Sequence, residues 1–280
     1  MSLDYLGARR LRELLDRHEI KLKRSLGQNF VVDPNTIRKV VDIAEVQAGD
    51  EILEIGAGIG SLTVGLLAAG ANVTAVEIDG RLVPILAQVT QGGRIAIFHE
   101  DALRLDLASL PADKLVGNLP YNLAATIVLR ALEEGDRLRT QTVMTQREVG
   151  ERLAAKPGTK AYGQVSVQVA YFARARIAAR VSRRAFFPVP NVDSVIVQIE
   201  RRPEPEVPWR DFKLLVKTAF AQRRKTVRRC LVPIAGSLEE AAAALKEAGV
   251  PPEARAEDLD VDAFAALGLA LSEQIALLRN

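Results

Sequence analysis

Cysteine occurs once in this chain, at position 230, and histidine only twice, at positions 18 and 99. A single cysteine excludes an internal disulfide, and two histidines without further thiols leave no convincing zinc ligand set. Neither thiol nor metal chemistry is expected. Long apolar runs are also missing, and none approaches the ~20 residues of a membrane span. The N-terminus lacks the basic-then-apolar order of a secretory signal, so a cytoplasmic protein with no membrane partner is expected. No repeat period or low-complexity tract is detectable, which excludes a repeat array. What remains is an ordinary globular balance, 48% hydrophobic and 26% charged over 280 residues. That length suits one large domain, or a medium domain with a small companion; the second is expected.

Acidic and basic residues nearly cancel, to a formal charge of +3, but they are unevenly distributed. The stretch from Arg9 to Arg24 is rich in basic side chains, Arg174 to Arg184 holds five arginines and no acid, and Arg210 to Arg229 holds eight basic residues against Asp211 alone. Glu239 to Asp260 is predominantly acidic. One basic run is usually a solvated face; three within a chain favour a polyanionic partner, most simply a nucleic acid.

Between about residues 50 and 120, short apolar runs ("EILEI", "NVTAVEI", "RIAIFH", "KLVG") alternate with helix-like stretches. That is the rhythm of an open parallel sheet with helical crossovers. Farther on, "TVMT" reads as a strand, "ARIAARV" and "VIVQI" alternate as half-buried strands do, and "GQVSVQVAYF" fits strand or helix equally well. "ERRPEPEVPW" reads as an extended linker with a domain boundary near residue 205. Beyond it the spacing turns helical, with Phe212, Leu215, Val216, Ala219 and Phe220 on one face, and "LEEAAAALKEAG" ends at a glycine stop. "FKLLVKTAFAQRRKTVRR" is expected to form one amphipathic helix with Lys213, Lys217, Arg224 and Arg228 along its outer face. The expected division is an α/β domain over residues 1–205 and a small all-helical domain over 206–280.

"EILEIGAGIG" sets Gly56, Gly58 and Gly60 directly after the first long strand, where the chain must turn sharply beside a ligand. The spacing G-x-G-x-G puts Ser61 where the dinucleotide fingerprint needs glycine. Glu77 closes the next strand, suitably placed to accept from ribose hydroxyls, and Asp101 closes the third, suitably placed for an adenine amine. Each carboxylate alone is as readily a solvated strand end. Together beside a glycine loop they favour a nucleoside, and because S-adenosyl-L-methionine carries no phosphate, the looser glycine spacing favours it over a dinucleotide.

The strand "KLVG" runs into "NLPYN", which projects over the same sheet edge. An adenine amino group is a poor nucleophile because its lone pair is delocalised into the ring. Acceptors that bind both of its hydrogens, here the Asn118 side-chain oxygen and the Leu119 carbonyl, localise that pair. Pro120 stiffens the turn and Tyr121 offers a ring on which a base can stack.

"LGQNF", "EIGAGIGSLT", "NLPYN", "KAYGQVSV", "AFFPVPNVDS" and "QRRKT" occur in an order that resembles the KsgA family of ribosomal RNA adenine dimethyltransferases, from about Lys23 into the C-terminal helices. The resemblance implies a Rossmann-like class I methyltransferase sheet with a small all-helical C-terminal domain. It implies dimethylation by S-adenosyl-L-methionine of two adjacent adenosines in the 3′-terminal hairpin of small-subunit ribosomal RNA, within the assembling small subunit, by a chain expected to act as a monomer. Carried over by motif, Gln28, Asn29, Val31, Gly56, Gly58, Glu77, Ile78, Asp101 and Ala102 would hold the cofactor, and Asn118 would bridge cofactor and base. Phe186 would face Tyr121 across the base, and Arg223, Arg224, Lys225 and Arg228 would hold RNA. Without the motif, Phe186 reads as a core aromatic. Asn191 stands where the family often has lysine, and Ala124 where serine or a similar small residue is usual. Three other readings stay open: an Erm-type enzyme of large-subunit RNA, a ribosome-assembly factor without catalysis, and, disfavoured by the glycine spacing, a nicotinamide oxidoreductase.

Overall fold

The computed structural model describes residues 5–22, 28–222 and 224–278. The chain forms two compact units, one from residues 1–151 and 175–201, the other from 152–174 and 202–280. In chain order, the first half carries α1 (Ala8–Arg17), β1 (Phe30–Val31), α2 (Pro34–Ile43), β2 (Glu51–Ile55), α3 (Ser61–Ala68), β3 (Asn72–Glu77), α4 (Val83–Val89), β4 (Ile95–His99), β5 (Lys114–Asn118) and α5 (Ala124–Glu134). Next come β6 (Thr140–Gln146), α6 (Arg147–Leu153), α7 (Gln164–Phe172), β7 (Ala173–Val181), β8 (Phe186–Phe187) and β9 (Ser194–Arg201). The remaining α-helices are α8 (Trp209–Ala219), α9 (Val227–Cys230), α10 (Val232–Ala235), α11 (Leu238–Glu247), α12 (Val261–Ala270) and α13 (Ser272–Leu277).

Seven strands form one sheet in the order β4-β3-β2-β5-β6-β9-β7, and β1 with β8 forms a two-stranded ribbon. β4 through β6 are parallel, and β9 runs antiparallel to β6. The chain leaves β2 towards β3 and β4, then returns to β5 on the other side, so the order reverses between β2 and β5. In such sheets a crevice opens beyond the strand C-termini at the reversal. There, the glycine loop after β2 and the "NLPY" turn after β5 become neighbours.

β2 is buried on both faces through Ile52, Leu53 and Ile55, which is why it reads as a near-continuous apolar run. β9 is likewise buried along Ser194–Ile199 rather than half-buried as its alternation suggests, because it lies between β6 and β7. β7 stands at the sheet edge and keeps an exposed face. The ambiguous "GQVSVQVAYF" is helical as α7, with Gly163 in extended backbone before its first turn.

Within the second unit, Tyr171, Trp209, Phe212 and Phe264 form an aromatic core, with Tyr171 and Phe212 ring centroids 4.7 Å apart. The proline-rich stretch enters that core: Val207 is 1% exposed, and its carbonyl accepts from the Tyr171 hydroxyl at 2.8 Å. The unit boundary falls after Arg201, and residues 152–174 also belong to the helical unit, a discontinuity whose two ends fall inside α6 and β7 rather than at a linker.

One expectation is corrected here. The basic stretch from Phe212 to Arg229 does not form a single helix with Lys213, Lys217, Arg224 and Arg228 along one stripe. α8 ends at Ala219, the chain turns, and α9 starts afresh at Val227. Gln222 to Thr226 offers no apolar side chain to hold a continuing helix against the core, whereas Val227 and Cys230 are buried again. Lys213 and Lys217 keep exposed places on α8, and Arg224 and Lys225 are exposed in the turn. Arg228 is half-buried on α9, and Arg223 lies outside the described residues.

Candidate functional site

The loop after β2 is held in conformations that favour glycine: Gly56, Gly58 and Gly60 have φ of +76°, +61° and +89°. Space is restrictive too, since a Cβ on Gly58 would stand 2.7 Å from the Phe30 ring. The amides of Gly56 and Ala57 donate to the Val76 carbonyl at 2.9 and 3.2 Å, which pins the loop to β3. Glu77, at the end of β3, accepts from Gly58 N on Oε2 at 2.7 Å and from Asp79 N on Oε1 at 2.8 Å. Burial raises its pKa above the ordinary carboxylate value, opposed by these amide bonds. Each oxygen keeps a further lone pair for a ligand.

Two clefts open at this edge. The first, enclosing about 60 Å³, runs from Gly56 and Gly58 past Glu77 and Ile78 to Asn118 and Pro120. Ile78 is 48% exposed, unusual for an isoleucine and suited to an apolar ligand face. The second, of about 400 Å³, lies between Tyr121, Gln146 and the loop Pro188–Asn191. Gln28 and Asn29 line both clefts and form their common wall.

Asn118 lines the first cleft next to Asn29, which belongs to both. Its Nδ2 donates to the Asn29 carbonyl at 2.7 Å, and this bond fixes the amide orientation, because a carbonyl accepts only from the nitrogen. Oδ1 therefore faces the other way, buried and without a protein partner. Leu119 is buried, with its N–H donating to the Met144 carbonyl at 3.0 Å. Tyr121 is half-buried, its hydroxyl 3.0 Å from Ser194 Oγ, and burial raises the phenol pKa.

Of the residues singled out in the sequence, Gln28, Asn29, Gly56, Gly58, Glu77, Ile78, Asn118 and Pro120 come together in the first cleft. Val31 and Phe186 do not. They pair across the β1–β8 ribbon, and both point into the core, 2% and 1% exposed. Side chains alternate along a strand, so their neighbours face the other way: Phe30 lines the first cleft and Phe187 packs beneath Arg12. The expectation that Phe186 walls the base groove is thus corrected; the wall facing Tyr121 is the Pro188–Asn191 loop. Asp101 and Ala102 lie beyond the last residue of β4 and outside the lining of either cleft. There Asp101 Oδ1 accepts from Leu103 N at 2.9 Å, and the Ala102 carbonyl accepts from Arg130 Nη1 at 2.6 Å. Phe30, Leu82 and Gln146 were missed; Phe30 sits inside the quoted "LGQNF", but which strand residue faces the cleft depends on a pairing formed 157 positions away at Phe187. Among the described residues no group of acidic, histidine or cysteine side chains could hold a metal ion, and no helix is long and apolar enough to cross a membrane.

Sheet order, glycine loop and strand-end carboxylate together define a class I methyltransferase. Two solved structures share the fold: a dimethyladenosine transferase from Plasmodium falciparum (TM-score 0.77, 23% identity, 86% of this chain and 97% of that one) and the 23S rRNA methyltransferase ErmE (TM-score 0.70, 28% identity, 87% and 99%). Among curated relatives, the ribosomal RNA small subunit methyltransferase A of Leifsonia xyli is 46% identical over 95% of this chain and 98% of its own length. The protein of the same name from Geobacillus kaustophilus is 40% identical over 97% and 98%. The profile described as ribosomal RNA adenine dimethylase matches residues 19–272, and the chain belongs to that family.

Proposed function

We propose that this chain uses S-adenosyl-L-methionine to dimethylate N6 of two adjacent adenosines in the 3′-terminal hairpin of small-subunit ribosomal RNA, acting as a monomer on the assembling subunit. The observation that carries the reading is the buried, unpartnered Oδ1 of Asn118, a residue that lines the first cleft beside Asn29 and Pro120. A buried acceptor left unpaired is destabilising by about 1–3 kcal/mol, and a target amine would supply the missing donor.

The first cleft fits the cofactor in its donor set. The Glu77 carboxylate would accept from ribose hydroxyls, Ile78 would flank the adenine, and the glycine loop leaves room for close backbone approach. The cofactor supplies a methyl group already activated on a sulfonium. Asn118 Oδ1 and the Leu119 carbonyl would accept the two amine hydrogens, holding the nitrogen lone pair out of conjugation and towards the cofactor cleft. Tyr121 would stack on the base, with its hydroxyl steadied by Ser194. With the methyl so activated, alignment and fixed dipoles suffice and no strong base is required.

The two curated relatives described above, 46% and 40% identical, carry the small-subunit name, which favours that substrate over the 23S RNA for which ErmE is named. The test is incubation with labelled cofactor of unmethylated small subunits and, in parallel, of large subunits, followed by mapping of the modified nucleotides. Label on two adjacent adenosines near the 3′ end is expected. Label confined to large-subunit RNA would overturn the substrate, and no label on either subunit would overturn the enzyme.

A further inference from the structure

Asp79, two residues beyond the cleft carboxylate Glu77, is 6% exposed and lines neither cleft. Its carboxylate is nonetheless fully engaged. Oδ1 accepts from Arg81 Nε at 2.8 Å, while Oδ2 accepts from Arg81 Nη2 at 2.5 Å and from Gln28 Nε2 at 2.9 Å. Its own N–H donates to Glu77 Oε1. The Arg81 bonds hold the carboxyl well below the usual carboxylate range, so the group is ionised at any physiological pH. Arg81 alone would satisfy both oxygens as a bidentate partner. The bond from Gln28 is additional, and it is made although immobilising a glutamine side chain costs rotamer entropy.

Gln28 belongs to the wall common to both clefts. The chain Glu77–Asp79–Gln28 therefore links the carboxylate of the cofactor cleft to the side of the base groove through two hydrogen bonds. We propose that Asp79 is a positioning residue that fixes the Gln28 amide, and through it the shared wall, so that cofactor affinity depends on a side chain outside the cleft. This proposal rests on the functional reading given above.

The competing role for Asp79 is anchorage alone, since Arg81 Nη1 also donates to the Lys21 carbonyl at 3.1 Å and ties the N-terminal segment to the turn after β3. Calorimetry with S-adenosyl-L-methionine on the full chain separates the two roles. Loss of one hydrogen bond of this kind predicts about 3- to 10-fold weaker binding for Gln28→Ala and for Asp79→Ala. The double variant should lose less than the sum of the two single losses, because both changes break one connection. Asp79→Asn keeps an acceptor for Gln28 and should stay within about 3-fold of wild type. Gln28→Glu keeps the length but sets a carboxylate against Asp79, and should bind more weakly than Gln28→Ala. It also keeps the test decisive should Asp79→Ala fail to fold. Wild-type affinity in Gln28→Ala, losses that add in the double variant, or equal effects of Gln28→Glu and Gln28→Ala would each overturn the proposal. A wild-type chain that bound no cofactor would sink the functional reading as well.

Discussion

Asn118 has two ends with separate duties, and substitution can remove one without touching the RNA surface. Nδ2 anchors the residue to the Asn29 carbonyl and Oδ1 is left without a protein partner. Asn118→Ala should lower the single-turnover methylation rate by about 100-fold or more, the usual loss when a pre-oriented polar group is deleted, while RNA binding stays near wild type. A rate within a factor of a few would return "NLPYN" to the status of a turn. Glu77 carries more than the sequence suggests, because it also holds the amides of Gly58 and Asp79. Glu77→Ala should therefore weaken S-adenosyl-L-methionine binding by about 1–3 kcal/mol, through missing acceptors and a loosened loop together. Calorimetry would show it, and unchanged affinity would reduce Glu77 to a loop anchor. At this scale the residues that lie on single-strand ends were legible: Gly56, Glu77 and Asn118 follow apolar runs, and a parallel strand must end where its ligand edge begins. The facing of Val31 and Phe186 was not, because each belongs to a two-residue strand whose orientation is set by a distant partner and leaves no local period to read.

Elements fared according to how much of their stabilisation is local. The strands β2, β3 and β5 announce themselves because they are buried on both faces and bounded by turns, and the helix "LEEAAAALKE" appears as α11 with Ser237 capping Glu240 N. The α7 segment alternates in sequence but is helical, since Val167, Val169, Tyr171 and Phe172 are all buried and periodicity has nothing to discriminate when most faces are covered. The basic segment after α8 fails in the opposite way. Its charges continue a helical spacing, but its apolar face stops between Ala221 and Val227. That break relocates the RNA test, because Arg228 is half-buried with Nε sequestered, whereas Arg224 and Lys225 project from an exposed turn. Arg224→Glu with Lys225→Glu should weaken binding to small subunits and flatten its salt dependence, by roughly one unit of slope for each phosphate no longer neutralised. Affinity for S-adenosyl-L-methionine should not change. Binding curves across a salt series that superimpose on wild type would remove this turn from the RNA-binding surface and leave the arginines from Arg174 to Arg184 as the next candidate.

At the scale of the whole molecule, stability should carry an unusual pH dependence that originates in one side chain. Glu54 lies in β2, in the middle of the seven-stranded sheet, 1% exposed and with Oε2 unpartnered. Burial pushes its pKa up to about 8, helped by the nearby Glu77 and opposed by bonding to Thr63. In the unfolded chain the same carboxyl ionises near 4.5. Below that value both states are protonated and its contribution is fully present. Between about 4.5 and about 8 the folded protein binds one more proton than the unfolded chain, so stability should fall by ~1.4 kcal/mol per pH unit. Above about 8 the loss is complete. Glu77 has a raised pKa as well and acts with the same sign, while the basic composition, with its isoelectric point near 9.1, adds charge repulsion as pH falls. Wild-type curves alone would mix these effects. Glu54→Gln isolates the first, because the amide keeps the shape and cannot ionise. Urea midpoints of the two proteins should nearly coincide at pH 5 and diverge steadily towards pH 8, with the glutamine variant the more stable. Parallel curves over that range would mean that Glu54 is ionised in the fold, held by a partner that its buried surroundings do not reveal.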